Sequence, residues 1–370
     1  MKYYIIAGEA SGDMHAANLI KELNKLDAKA NMRGWGGDKM KAQGVNVVKH
    51  YRELAFMGFI EVIANLRTIL NNLSVCKKDI LEFKPDVVIL VDYPGFNLRI
   101  AEYLKENNIK VFYYISPQIW AWKQSRVHKI KRTVDKMYVI LPFEKDFYKK
   151  FDYDVEFTGH PLLDEIEERK KNNSESTELG IKENKKIIAL LPGSRMQEIK
   201  DMLPVMLEAS KNFPAYTFVV AAAPNISSAF YLELTSGYDA EIVTGQTYNL
   251  LQQSYAALVT SGTATLETGL FGVPEIVCYK GNRLSYLIAR QLIKVKYISL
   301  VNLILDKMLV TELIQDDFNK NRLLAEMKLL LDDSSYRENI KKGYNELKHM
   351  LGDSGASAKA AASMYRALTT

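Results

Sequence analysis

Cysteine is scarce: the 370 residues hold only Cys76 and Cys278, far apart in the chain. Two such residues cannot build a disulfide framework or a zinc cluster, so a reducing, cytoplasmic setting is expected. No uncharged apolar run reaches the roughly 18 residues that a membrane span requires. At the N-terminus only Tyr3–Ala7 precede polar residues, too short a stretch for the apolar core of a secretory signal. Gly and Pro number 20 and 10, too few for a fibrous or low-complexity chain. No fixed-period repeat is visible, which excludes solenoids.

Acids are missing from one window. Asn107–Val134 contains none, yet carries Lys110, Lys123, Arg126, Lys129, Lys131 and Arg132. The formal net charge is +5, and most of it resides before residue 166. Such a window suits phosphates on a nucleic acid, an anionic membrane or a phosphorylated substrate; a solvated helix face is the plainer reading.

Short apolar runs alternate with helix-like stretches from the start, the pattern of an α/β fold with parallel sheets. Tyr3–Ala7, Asp86–Val91, Lys110–Ile115 and Lys136–Leu141 read as strands of a first domain, residues 1–165. Residues 166–186 are polar and lack aromatics, and read as a linker. The alternation restarts with Ile187–Leu191, Tyr216–Ala221, Ala256–Val259 and Glu275–Tyr279 in a second domain, residues 187–350. The Ala-rich end, 351–370, favours a last helix. That helix must bury its apolar face on the first domain or on a second copy of the chain, the latter giving a homodimer.

Two segments of the second domain carry chemistry. Leu190-Leu-Pro-Gly-Ser-Arg195 sits where a strand ends and a helix begins. Gly193 permits a tight turn, Ser194 can cap the helix, and Arg195 can grip phosphate oxygens. Thr260–Glu267 (TSGTATLE) repeats the plan, with Ser261, Gly262, Thr263 and Ala264 at the turn, Thr265 beyond it and Glu267 one helical turn inside. An acid there suits ribose hydroxyls. Each loop alone is an ordinary capped junction, but two in one domain, neither a P-loop nor G-x-G-x-x-G, point to a nucleotide diphosphate.

In the first domain, Asp92 directly follows the buried strand, at the edge where α/β sheets bind ligands. It is either a general base with a raised pKa or a turn cap. Gly8–Asp13, with Glu9 and Ser11, is the loop after the first strand, and His15 follows closely. Tyr114–Trp122 (YISPQIWAW) sets Ser116, Gln118, Trp120 and Trp122 beside the basic window, suited to sugars or to core packing. Leu54–Leu73 is amphipathic; Phe59 and Ile63 belong either to the core or to a surface for acyl chains.

Taken in order, GEASGD, VDYPGFN, YISPQIWAW, FTGHP (Phe157–Pro161), LLPGSR and TSGTATLE closely resemble the lipid-A-disaccharide synthase family. The likeness runs over essentially the whole chain, including Lys296–Leu303 and Leu309–Ile314. It implies an α/β GT-B glycosyltransferase: two facing Rossmann-like domains with parallel sheets, C-terminal helices and a site in the cleft between them. It implies transfer of 2,3-diacylglucosamine from its UDP form to the 6-hydroxyl of 2,3-diacylglucosamine 1-phosphate, with inversion, giving the β-1,6 disaccharide 1-phosphate of lipid A biosynthesis and UDP.

On the same resemblance Asp92 takes the base position, Arg195 and the Thr263 loop hold the diphosphate, and Glu267 holds the ribose. The acceptor and its chains fall to Glu9, Ser11, Phe59, Ile63, Ser116, Gln118, Trp120, Trp122 and Arg126. Some members have Asp-Phe-Asn where this chain has Gly95-Phe96-Asn97, so no second carboxylate is carried over. Related cell-wall GT-B transferases use a His near the first loop, which makes His15 a rival base. None of these motifs contains the Asp-x-Asp metal element usual in glycosyltransferases, so no metal and no other cofactor is expected. Acylated substrates place the protein on the cytoplasmic face of the inner membrane as a peripheral protein, with no nucleic-acid partner. Two rival functions remain: another GT-B enzyme, such as a UDP-N-acetylglucosamine 2-epimerase or a peptidoglycan-precursor transferase, or a non-catalytic membrane-surface binder of nucleotide sugar.

Overall fold

Val87–Val91 (β4) is apolar and buried at every position, a pattern that belongs to a strand covered on both faces. The computed structural model describes residues 1–53, 66–172, 179–181, 185–282, 286 and 295–370. Within it, β4 is the middle strand of a seven-stranded parallel sheet in the order β3-β2-β1-β4-β5-β6-β7. Its other strands are Lys2–Ala7 (β1), Asn31–Gly36 (β2), Asn46–His50 (β3), Val111–Tyr114 (β5), Lys136–Val139 (β6) and Glu156–Phe157 (β7). The chain winds outward from β1 to β3, then returns to lay β4 on the other flank of β1. Ala7 pairs with Val91 at this reversal, so the loops after β1 and β4 emerge side by side at the carboxyl edge.

A second parallel sheet has six strands in the order β10-β9-β8-β11-β12-β13. They are Lys186–Leu191 (β8), Tyr216–Ala222 (β9), Ala240–Thr244 (β10), Ser254–Thr260 (β11), Glu275–Tyr279 (β12) and Glu312–Ile314 (β13). The reversal here falls between β8 and β11, where Leu191 pairs with Val259. Each sheet therefore places its two chemistry-bearing loops at its own switch point.

The contacts divide the chain into Met1–Glu167 with Leu351–Thr370, and Glu168–Met350. The segment read as a linker from residue 166 starts inside a helix, Leu162–Asn172; its Glu, Arg and Lys residues are polar but helix-favouring. Residues 173–178 and 182–184 lie outside the described residues.

The last helix, Ala356–Thr369, docks on the first unit of its own chain. Ala360, Ala361 and Met364 are fully buried in one core with Ala16, Leu19, Ile20 and Leu23. Its N-terminus is capped from a distance by the Asp164 carboxylate, which accepts N–H groups of Gly355, Ala356 and Ser357. No described helix is long and apolar enough to cross a membrane.

Candidate active site

In the second unit, the loops after β8 and β11 wall a cavity of about 440 Å³, within the usual range for small-molecule sites. Gly193 has φ +111° and Gly262 φ +148°, values that L side chains rarely adopt. Gly193, Ser194, Arg195, Ser261, Gly262, Thr263, Ala264 and Glu267 all line the cavity. Arg195, rather than Ser194, is the capping residue of the helix Met196–Ser210, and no side chain of its own caps that end. The acceptor instead is Glu198: it takes the Ser194 N–H at 3.3 Å and an Arg195 guanidinium N–H at 3.0 Å.

The hydroxyls of the second loop divide their labour. Thr265 is fully buried, and its Oγ1 donates to the Gly262 carbonyl at 2.8 Å. Ser261 lines the cavity but donates its hydroxyl to the Ile298 carbonyl at 3.0 Å. Both hydroxyls are thus engaged in holding the turn. Thr260 also lines the cavity, and its buried Oγ1 has no hydrogen-bond partner among the described residues. Glu267 accepts the Tyr248 hydroxyl at 2.9 Å, and the Arg169 guanidinium lies 4.5 Å from that tyrosine ring. Sequence reasoning missed Thr260, Glu198, Thr247 and the Ala221–Pro224 wall. The small residues ending β9 were visible in the sequence, but their adjacency to β8 is a property of strand order.

In the first unit, Asp92 and Tyr93 have φ of +45° and +49°. Two consecutive non-glycine residues in this region are costly and need support. The Asp92 carbonyl accepts the Tyr113 hydroxyl and, at 2.7 Å, the Asn97 side-chain amide. Gly8 opens the neighbouring loop under the Tyr93 ring. Burial, with the Glu9 carboxylate next in size, pushes the Asp92 carboxyl up to about 6. Glu9 is half-buried at the start of the helix Ala10–Leu26, and Ser11 is exposed. Asp13 belongs to the scaffold: its carboxylate accepts the N–H groups of Gly37, Lys39 and Met40 at 2.7, 3.1 and 3.1 Å. His15 Nδ1 is enclosed and has no partner among the described residues. Burial lowers its pKa to about 4 against the opposing pull of Glu165, so the ring is uncharged at neutral pH.

The YISPQIWAW segment faces both ways. Ser116 is buried, its hydroxyl 2.7 Å from that of Tyr148. Trp120 is buried too: Nε1–H donates to Glu144 at 3.2 Å and the ring meets Phe143 edge-on at 4.9 Å. Gln118 and Trp122 are exposed. Lys123 Nζ lies 4.3 Å and the Arg126 guanidinium 5.6 Å from the Trp122 ring. The rest of the basic window is more engaged: Lys129 and Arg132 pair with Glu102 at 2.7 and 3.5 Å, and Lys131 donates to the Phe151 carbonyl at 3.0 Å. Phe59 and Ile63 lie outside the described residues.

Comparison with known proteins gives a match of residues 3–365 to the pattern of the lipid-A-disaccharide synthetase family. A lipid-A-disaccharide synthase of Syntrophus aciditrophicus is 41% identical over 364 residues, covering 96% of this chain and 95% of the relative. Another, of Nitrosococcus oceani, is 40% identical over 354 residues, covering 94% and 92%. Among solved structures, the UDP-GlcNAc 2-epimerase of Neisseria meningitidis superposes with TM-score 0.72 at 15% identity, over 99% of this chain and 100% of that one. The 2-epimerase of Methanocaldococcus jannaschii gives 0.65 at 14% identity, over 100% and 99%. These structural likenesses show the GT-B fold, and at such identities the fold alone.

Proposed function

The chain belongs to the lipid-A-disaccharide synthetase family, and from that premise we propose how its residues share the reaction. The protein is a glycosyltransferase that moves 2,3-diacylglucosamine from UDP to the 6-hydroxyl of 2,3-diacylglucosamine 1-phosphate. The observation that carries this reading is the family match across residues 3–365.

Asp92 is the general base. A base works best with a pKa near the operating pH, and Asp92 at about 6 meets that condition better than His15 at about 4. Its carboxylate takes the proton of the acceptor 6-hydroxyl as that oxygen bonds to the donor's anomeric carbon. The bond from that carbon to UDP breaks with the electron pair leaving on the diphosphate, and the single displacement inverts the centre. Arg195 and the N–H groups of the Gly193 and Gly262 turns stabilise the departing charge. Glu267 holds the ribose. Trp122, Lys123 and Arg126 form the face that meets the acceptor's phosphate and an anionic membrane surface, where the acyl chains of both substrates reside.

Incubating the purified chain with the UDP donor, with and without acceptor, tests the function. UDP and disaccharide 1-phosphate should appear together and only when acceptor is present. Conversion of the donor to a 2-epimer, or UDP release that ignores the acceptor, would overturn it.

A further inference from the structure

We propose that Glu312, at the start of β13, is a positioning residue that sets the shape of the nucleotide turn after β11. This rests on the reading that the cavity holds UDP.

The Glu312 carboxylate gathers four donors. Oε2 accepts the Ile298 N–H at 2.9 Å; Oε1 accepts the Ser299 N–H at 3.0 Å, the Ser299 hydroxyl at 2.8 Å and the Asn302 side-chain amide at 2.9 Å. Asn302 is fully buried and ties the same segment to the chain before β13. Its Oδ1 accepts the N–H groups of Leu309 and Val310 at 2.8 and 3.1 Å, and its amide also donates to the Val310 carbonyl at 2.8 Å. Ser299, also fully buried, caps the short helix Leu300–Leu305 by accepting the Asn302 N–H at 3.2 Å. These bonds account for the two motifs, Lys296–Leu303 and Leu309–Ile314, that line no part of the cavity.

The segment so held presses directly on the nucleotide turn. The Ile298 carbonyl accepts the Ser261 hydroxyl at 3.0 Å, and the Leu300 N–H donates to Thr265 Oγ1 at 3.3 Å. Thr265 in turn donates to the Gly262 carbonyl at 2.8 Å, and Ser261 and Gly262 line the cavity. Gly262, at φ +148°, has wide backbone freedom of its own, so its N–H direction depends on these neighbours. A carboxylate is required because all four partners are donors. A glutamine would turn an NH₂ toward at least one of them, leaving a donor facing a donor.

The test is UDP titration calorimetry and steady-state kinetics on full-length Glu312→Gln, Ser299→Ala and Arg195→Ala. Glu312→Gln should weaken UDP binding about tenfold and raise the donor KM by the same factor, with the acceptor KM unchanged; small displacements of binding groups are known to cost this much or more. Should Glu312→Gln not fold, Ser299→Ala, which removes only the hydroxyl link, should still weaken UDP about fivefold, as expected for one hydrogen bond. A purely structural Glu312 predicts a lower melting temperature with UDP affinity and donor KM unchanged, and that result in a folded variant overturns the proposal. If Arg195→Ala weakens UDP while both other variants bind it as the parent does, the positioning role alone falls. If Arg195→Ala leaves UDP binding intact, the reading of the cavity falls, and the positioning role with it.

Discussion

Tyr93 closes over Gly8 so tightly that a Cβ built on the glycine would meet the tyrosine ring at 2.3 Å. Gly8 opens the loop after β1 and Tyr93 ends the one after β4, and the strand register sets those loops side by side. Tyr93 is also the residue next to Asp92, and both sit at positive φ. The glycine therefore bears on the direction of a carboxylate that is remote in sequence.

Gly8→Ala should push the Tyr93 ring away and carry Asp92 with it. Misplacing a reacting group by about 1 Å can cost about 10²-fold in rate, so kcat should fall by that order while UDP affinity stays unchanged. Steady-state rates and UDP calorimetry on the one variant check both halves.

The pH profile separates the two bases. With Asp92 at about 6, kcat/KM should rise with pH through that value and level off above it. A base at His15, lowered to about 4, would put the rise two pH units lower. The sign for stability is opposite to that for activity. Because the folded pKa is raised above the ordinary 3.8, the native state holds its proton more tightly, and stability declines as pH climbs from about 4 to about 6. Asp92→Asn should therefore raise the melting temperature at neutral pH; an unchanged or lower value would contradict the burial cost assigned to this carboxylate.

Asp164 holds three N–H groups at the start of the last helix. Asp164→Ala should cost about 1–2 kcal/mol, the scale of a lost helix cap. Removing residues 353–370 should cost more, since Ala16, Leu19 and Ile20 would lose the buried cover of Ala360, Ala361 and Met364. Urea denaturation of both variants checks the order.

Trp122 carries two cations against its ring, Lys123 and Arg126. Each basic residue near an anionic surface adds roughly 1 kcal/mol, screened by salt. Lys123→Ala with Arg126→Ala should weaken sedimentation with phosphatidylglycerol vesicles at low salt and leave UDP affinity alone. Equal sedimentation of parent and variant would remove these residues from membrane contact.

The parallel architecture was legible because strands such as Val87–Val91 are continuous apolar runs. β2 was not, because Asn31–Gly36 contains Arg33 and two glycines. Gly34 has its own reason: a Cβ there would come within 1.9 Å of the Ile5 carbonyl oxygen, so close strand approach excludes the residues that mark a strand. In the cavity, the turns of Gly193 and Gly262 announced themselves through small residues at strand ends. That Ser261 and Thr265 hold the turn was hidden because their hydroxyls meet Ile298 and Leu300, far along the chain. Glu198 was hidden for a different reason: an acid in the first turn of a helix is ordinary, and only the geometry shows it gripping Ser194 and Arg195.

The most direct test of the account is turnover and UDP affinity measured on the same preparation of Asp92→Asn. Loss of a general base costs roughly 10²–10⁴ in rate, so the account predicts kcat reduced by that factor, UDP bound with the parent's affinity, and the pH rise near 6 abolished. Near-parental turnover in a folded Asp92→Asn, with the pH profile unmoved, would contradict it.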